Sequence, residues 1–170
     1  RGEYLGQLDD ERASEPSPRI AAAQNVGRGL LVANHPDQIP VQRTTIERVK
    51  AAVDPTRLLD TALRLIEVPS PTLDAGRAAD RLTEILRNDG FEVERPIANW
   101  PQAPAVVTRL GGGRAGRTLQ FDGHLDTVHL PFVASRVEDG VLTGSGASDM
   151  KGGVAASVEA MRALRDSGLF

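Results

Sequence analysis

Arg117-Thr118-Leu119-Gln120-Phe121-Asp122-Gly123-His124-Leu125-Asp126-Thr127-Val128 sets the architecture expected of this chain. Leu119 and Phe121 alternate with polar neighbours, the period-two mark of a strand, and Asp122-Gly123 then breaks the run. Residues 117–121 are therefore expected as an inner strand, with 122–128 at its carboxyl end. Side chains two apart in extended chain point the same way, so His124 and Asp126 share one face and Leu125 turns to the other. An acid so placed can hold the second ring nitrogen of a metal-binding imidazole, fixing its tautomer. The plainer reading is a solvated strand end or a turn cap.

Upstream, Asp54 can cap a helix and Pro55 suits its first position, with Leu58, Leu59, Ala62, Leu63 and Ile66 at helical spacing up to Pro69-Ser70-Pro71. A second helix is predicted from about Ala75 to Asn88, with Ala78, Ala79, Leu82, Ile85 and Leu86 on one face and Gly90 as its stop. Strand signals follow in Phe91–Arg95 and Ala105–Leu110, and the Gly111–Gly116 turn then makes a hairpin with 117–121. Glu138-Asp139-Gly140 spells a hairpin turn before a short strand at Val141-Leu142-Thr143. The last helix runs from about Met150 to Arg165, with Val154, Val158, Met161 and Leu164 inward. Helices, strands and a closing helix predict an α/β fold with a mixed sheet. Residues 1–43, rich in Arg, Glu, Asp, Ser and Pro, are read as a poorly ordered extension before a domain at 44–170.

The 170 residues suffice for one domain with a real core, and 40% hydrophobic content is that of an ordinary globular protein. A net charge of -3 provides no footprint for nucleic acid or an anionic membrane surface, so neither partner is expected. No apolar run is long enough for a spanning helix. The absence of cysteine excludes disulfides, thiol catalysis and cysteine-ligated zinc, and a cytoplasmic setting fits it. Any metal must be held by His, Asp or Glu.

A second motif, Gly144-Ser145-Gly146-Ala147-Ser148-Asp149-Met150-Lys151-Gly152-Gly153, opens the last helix. Asp149 could be a plain helix cap there, but the flanking glycines permit close approach to another segment, which capping does not need. A dinucleotide fingerprint would need glycine at Asp149 and a phosphate loop glycine at Met150, so neither nucleotide motif is spelled.

Together, Gly123-His124-Leu125-Asp126-Thr127-Val128, Glu138-Asp139-Gly140 and Gly144-x-Gly146-x-x-Asp149-Met150-Lys151-Gly152-Gly153 resemble the dinuclear-zinc peptidase and deacylase family. That family includes acetylornithine deacetylase, succinyl-diaminopimelate desuccinylase, aminoacylase and glutamate carboxypeptidase. The resemblance runs from about Arg57 to Phe170 and includes Ile66-Glu67-Val68-Pro69-Ser70-Pro71-Thr72. It implies a zinc-exopeptidase-like mixed sheet flanked by helices. It further implies that His124 ligates one zinc, Asp149 bridges two, and Asp126 is the active-site aspartate that orients His124. Co2+ or Mn2+ are conceivable substitutes for Zn2+. A shared carboxylate lowers the repulsion between two cations roughly 3.5–4 Å apart, so the carried-over roles are physically coherent. The resemblance also implies a cis peptide after Asp149, a small N-acyl amino acid or peptide as substrate, and attack of a zinc-bound water on its carbonyl.

In that family a Glu-Glu pair, further ligands and a smaller dimerisation domain lie beyond the matched region. The chain is accordingly expected to be an amino-terminal piece with an incomplete catalytic domain, inactive alone, from a parent that forms a homodimer. The rival expectation is a non-catalytic fragment or interaction module that keeps the fold without metal. Glu138, Asp139, Glu159 and Asp166 are read as solvated surface, and His129 and His35 as non-ligands. Trp100, near Pro96, Pro101 and Pro104, is expected to pack a connecting loop.

Overall fold

The computed structural model describes residues 43–97, 99–112, 116–128 and 131–169. The expected extension therefore lies outside the described residues, apart from Arg43. That residue begins α1 (Arg43–Ala51), which sequence reading did not anticipate. α1 packs against α4 (Gly152–Asp166), and Arg48 donates to the Ser167 carbonyl at 2.5 Å.

α2 (Pro55–Ile66) starts as its sequence requires: the Asp54 carboxylate accepts from the main-chain N–H groups of Thr56 and Arg57 at 2.8 and 3.2 Å. It buries Thr61, Ala62, Leu65 and Ile66. α3 (Gly76–Asn88) buries the predicted face, and Gly90, at φ 81, turns the chain out of it. One core joins Leu65 of α2, Leu82, Ile85 and Leu86 of α3, Phe91, and Val158 of α4. Burial of such side chains contributes about 1.5–3 kcal/mol each.

Strand structure is sparser than the sequence suggests. β1 (Val93–Glu94) pairs antiparallel with β2 (Val107–Thr108), and β3 (Arg136–Glu138) with β4 (Val141–Thr143). The β3–β4 turn is the expected one, with Asp139 and Gly140 both left-handed at φ 50 and 77. Residues 117–121 are not an inner strand: Leu119 and Phe121 are exposed, and no ladder forms there among the described residues. β1, not 117–121, partners β2. Alternation marks a chain able to pair, but pairing needs a neighbour on the hydrogen-bonding edge. The Gly111–Gly116 turn falls partly outside the described residues. Among these residues no helix is long and apolar enough to cross a membrane.

The solvated reading of Glu159 is also corrected, since the residue is 2% exposed. Its carboxylate accepts from Arg57 at 2.8 and 2.9 Å, from the Asp54 N–H at 2.9 Å and from Arg162 at 3.4 Å. Arg162, also buried, reaches the Asp89 carboxylate and the Thr61 hydroxyl. Helical spacing places Glu159 and Arg162 one turn apart on the inner face, and mutual pairing makes their burial tolerable. Asp166 is exposed but bonded to Arg57 and Arg165. Burial alone would push the Glu159 carboxyl up, but the hydrogen bonds from Arg57 and the Asp54 N–H bring it below the usual glutamate range.

Two outcomes follow. Glu159→Ala leaves two guanidinium groups short of a partner and should cost about 3 kcal/mol in urea unfolding. Because the folded carboxyl titrates below the unfolded one, its contribution is present above the unfolded glutamate pKa of about 4.3 and lost as pH falls through the lower folded value. Wild-type stability should therefore fall over that acid range, and Glu159→Gln should flatten part of the decline.

Candidate functional site

Two segments build the site. In the first, Leu125 packs against the Leu65–Leu82–Phe91 core, which leaves His124 and Asp126 on the opposite face, as alternation along extended chain requires. The segment is tied to the turn after α2: the Thr127 N–H donates to the Ser70 carbonyl at 2.7 Å, and the Ser70 hydroxyl donates to the Leu125 carbonyl at 2.7 Å. Pro71 and Thr127 form an isolated parallel bridge.

The second segment is the turn Ala147–Lys151 that leads into α4. Gly146 before it is left-handed at φ 83, and a Cβ there would lie 2.7 Å from the Thr127 methyl, so only glycine admits this crossing of the two segments. At Gly152 a Cβ would collide with the Ala147 carbonyl oxygen. Within the turn Asp149 is extended, at φ -129 and ψ 99, and its peptide bond to Met150 is cis, as the resemblance implied. Asp149 is not the cap of α4, since the residue preceding the helix is Lys151 and makes no side-chain cap. Lys151 is fully buried and donates from Nζ to the Val68 carbonyl at 2.7 Å. Burial pushes this ammonium down to about 8.

The three residues singled out from sequence meet. His124 Nε2 lies 2.9 Å from Asp149 Oδ1, across 25 positions of chain. His124 Nδ1 lies 3.0 Å from the Asp126 carbonyl oxygen and 3.2 Å from its Oδ1. A carbonyl and a carboxylate only accept, so both contacts are hydrogen bonds when the ring carries both protons. The hydrogen bond to Asp149 accordingly raises the His124 pKa against a small opposing cost of burial. The imidazole is 46% exposed and the Asp149 side chain 74%, so water screens the attraction between them.

The donor chemistry fits a hard or borderline cation in kind. Nδ1 is backed by Asp126, which leaves Nε2 to face a carboxylate with a free second oxygen. In number it falls short, because among the described residues no group of three or more His, Cys, Asp or Glu side chains is arranged to hold a metal ion. The four other acids weighed from sequence take other places: Glu138 and Asp139 at the β3–β4 turn, Glu159 and Asp166 with the arginines of α2 and α4. His35 and His129 lie outside the described residues. Trp100, expected to pack a connecting loop, is exposed and holds that loop by donating to the Leu73 carbonyl at 2.8 Å.

Sequence reasoning assigned no role to Ser70 or Lys151. Ser70 stood out only as part of Pro69-Ser70-Pro71, and a lysine at a helix entrance looks the same in sequence whether buried or exposed. The one available signal was glycine on both sides of the Asp149–Lys151 tripeptide, which marks crowding.

Residues 120–169 match the description Peptidase family M20/M25/M40. Over 122 residues the chain is 41% identical to succinyl-diaminopimelate desuccinylase of Methylobacterium radiotolerans, covering 63% of this chain and 30% of the relative. It is 42% identical over 123 residues to that of Gluconacetobacter diazotrophicus, covering 66% and 31%. It is 40% identical over 118 residues to that of Methylorubrum extorquens, covering 64% and 30%. The chain thus spans about three-tenths of the length of these curated relatives. The stretch matched by the description Peptidase family M20/M25/M40 contains both segments of the site, and over it the chain is similar to that family.

Proposed function

We propose that residues 44–170 are the amino-terminal part of a metallopeptidase catalytic domain that hydrolyses an amide bond of an N-acyl amino acid or short peptide, with 1–43 as an extension before it. The observation that carries this reading is the convergence of His124 Nε2 and Asp149 Oδ1 at 2.9 Å, with His124 Nδ1 facing Asp126. In it His124 and Asp149 are metal ligands, Asp149 the bridging one, and Asp126 the residue that orients the imidazole. Zn2+, with Co2+ or Mn2+ as substitutes, would supply Lewis acidity towards the amide carbonyl when bound there.

The chain's own residues have definable tasks. The Asp126 carbonyl and carboxylate retain the proton on Nδ1, so that loss of the other ring proton frees the Nε2 lone pair towards Asp149. Asp149 meets Nε2 through Oδ1 and is otherwise exposed, and a carboxylate has the second oxygen that a shared ligand would use. With two convergent donors against the roughly four that zinc takes, the described residues supply part of a site, to be completed by water and by groups outside them. The relatives' name indicates an N-succinyl diamino acid as the first substrate to try.

Calorimetric titration of the chain with Zn2+ tests the ligand roles. Weak binding is expected for the wild type, none for His124→Ala or Asp149→Ala, and binding about 10–100-fold weaker for Asp126→Asn. Zinc binding unaltered in His124→Ala would overturn the assignment, and no binding at all would favour the metal-free module. For the chain alone, no release of succinate from N-succinyl-diaminopimelate above a zinc-only blank is expected, and His124-dependent turnover would refute the partial-site reading.

A further inference from the structure

The segment that presents His124 has few anchors. Among the described residues, the hydrogen bonds that join 116–128 to other parts of the chain all lead to Ser70, apart from the His124–Asp149 contact itself. The Ser70 carbonyl receives the Thr127 N–H, and the Thr127 hydroxyl at 3.4 Å, while the Ser70 hydroxyl holds the Leu125 carbonyl. Ser70 is 1% exposed, so water does not compete for these bonds. Two residues earlier on the same turn, the Val68 carbonyl receives the buried Lys151 ammonium, two positions beyond Asp149. The Lys151 stem also lies against Gly146, whose carbonyl receives the Lys151 N–H at 2.8 Å.

We propose that the Val68–Pro71 turn is the positioning element of the site: Ser70 holds the His124 segment, Val68 holds the Asp149 turn through Lys151, and the distance between imidazole and carboxylate is set by this one short piece of chain. Ser70 and Lys151 are positioning residues, since neither faces the site. The case for such an element is physical. Two solvated, screened side chains hold each other weakly, so their juxtaposition has to be imposed by buried main-chain contacts. The proposal rests on the metal-ligand reading only for its metal-binding consequence, not for the geometry.

The test compares Ser70→Ala and Lys151→Met with Thr83→Ala. Thr83 is a buried threonine of α3 that donates to the Ala79 carbonyl and accepts from Arg95, and it takes no part in the turn. Imidazole 15N spectra of the metal-free chain, assigned by loss of a signal in His124→Ala, report the two ring contacts directly. Both site variants should shift the His124 nitrogens towards those of an unbonded imidazole, whereas Thr83→Ala leaves them in place although it lowers Tm. Co2+ affinity, read from its visible absorption, should fall roughly tenfold or more in the site variants and be unchanged in Thr83→Ala. Should Lys151→Met fail to fold, Ser70→Ala alone decides. Wild-type nitrogen shifts in folded Ser70→Ala overturn the proposal. If the wild type binds no Co2+ but the nitrogens of Ser70→Ala move, the positioning role stands and the metal reading fails.

Discussion

The carboxylate of Glu159 is the junction on which the helical part of this chain depends. It receives the Arg57 guanidinium and the Asp54 N–H from the start of α2, and Arg162 from its own helix. A buried charge is tolerable only when its partners are held in place, and here they are held by three different constraints: a helix cap, a helix turn and the Asp89 corner after α3. The same junction fixes where α4 lies against α2. It thereby fixes where the amino end of α4, and the Asp149 turn before it, meets the loop that follows α2.

From that meeting point the site is assembled by small residues. Gly146 lets the Asp149 turn pass against Thr127, and Gly152 lets the turn fold back on Ala147. Leu125, half-buried against the core, sends its two neighbours to the other face. The first segment is seated by Leu125 against the core and by its bonds to Ser70, and the second is tied to the same turn through Lys151 and Val68.

Local signals were legible because their physics is local. Asp54-Pro55 starts a helix, Gly90 ends one and Asp139-Gly140 turns a hairpin whatever the rest of the chain does. The pairing of His124 with Asp126 followed from alternation, and that of His124 with Asp149 from the likeness of two motifs to one family. What failed depended on partners distant in sequence. Residues 117–121 alternate correctly yet have no ladder, because β2 is taken by β1. Glu159 carries the residue type of a surface position and sits in the interior, because Arg57 and Arg162 arrive to neutralise it. Ser70 gave no sign of its bonds to Leu125 and Thr127, which lie 55 and 57 positions away.

Lys151 has a wider consequence. An enclosed ammonium whose one oxygen partner among the described residues is a neutral carbonyl is a poor place for positive charge, and mutation to an uncharged residue of like length would relieve that tension locally. Evolution towards greater heat resistance would find an easy gain at this spot, so a lysine kept there in hot-adapted versions of the chain would signal that tolerance to heat had been traded for a fixed active geometry.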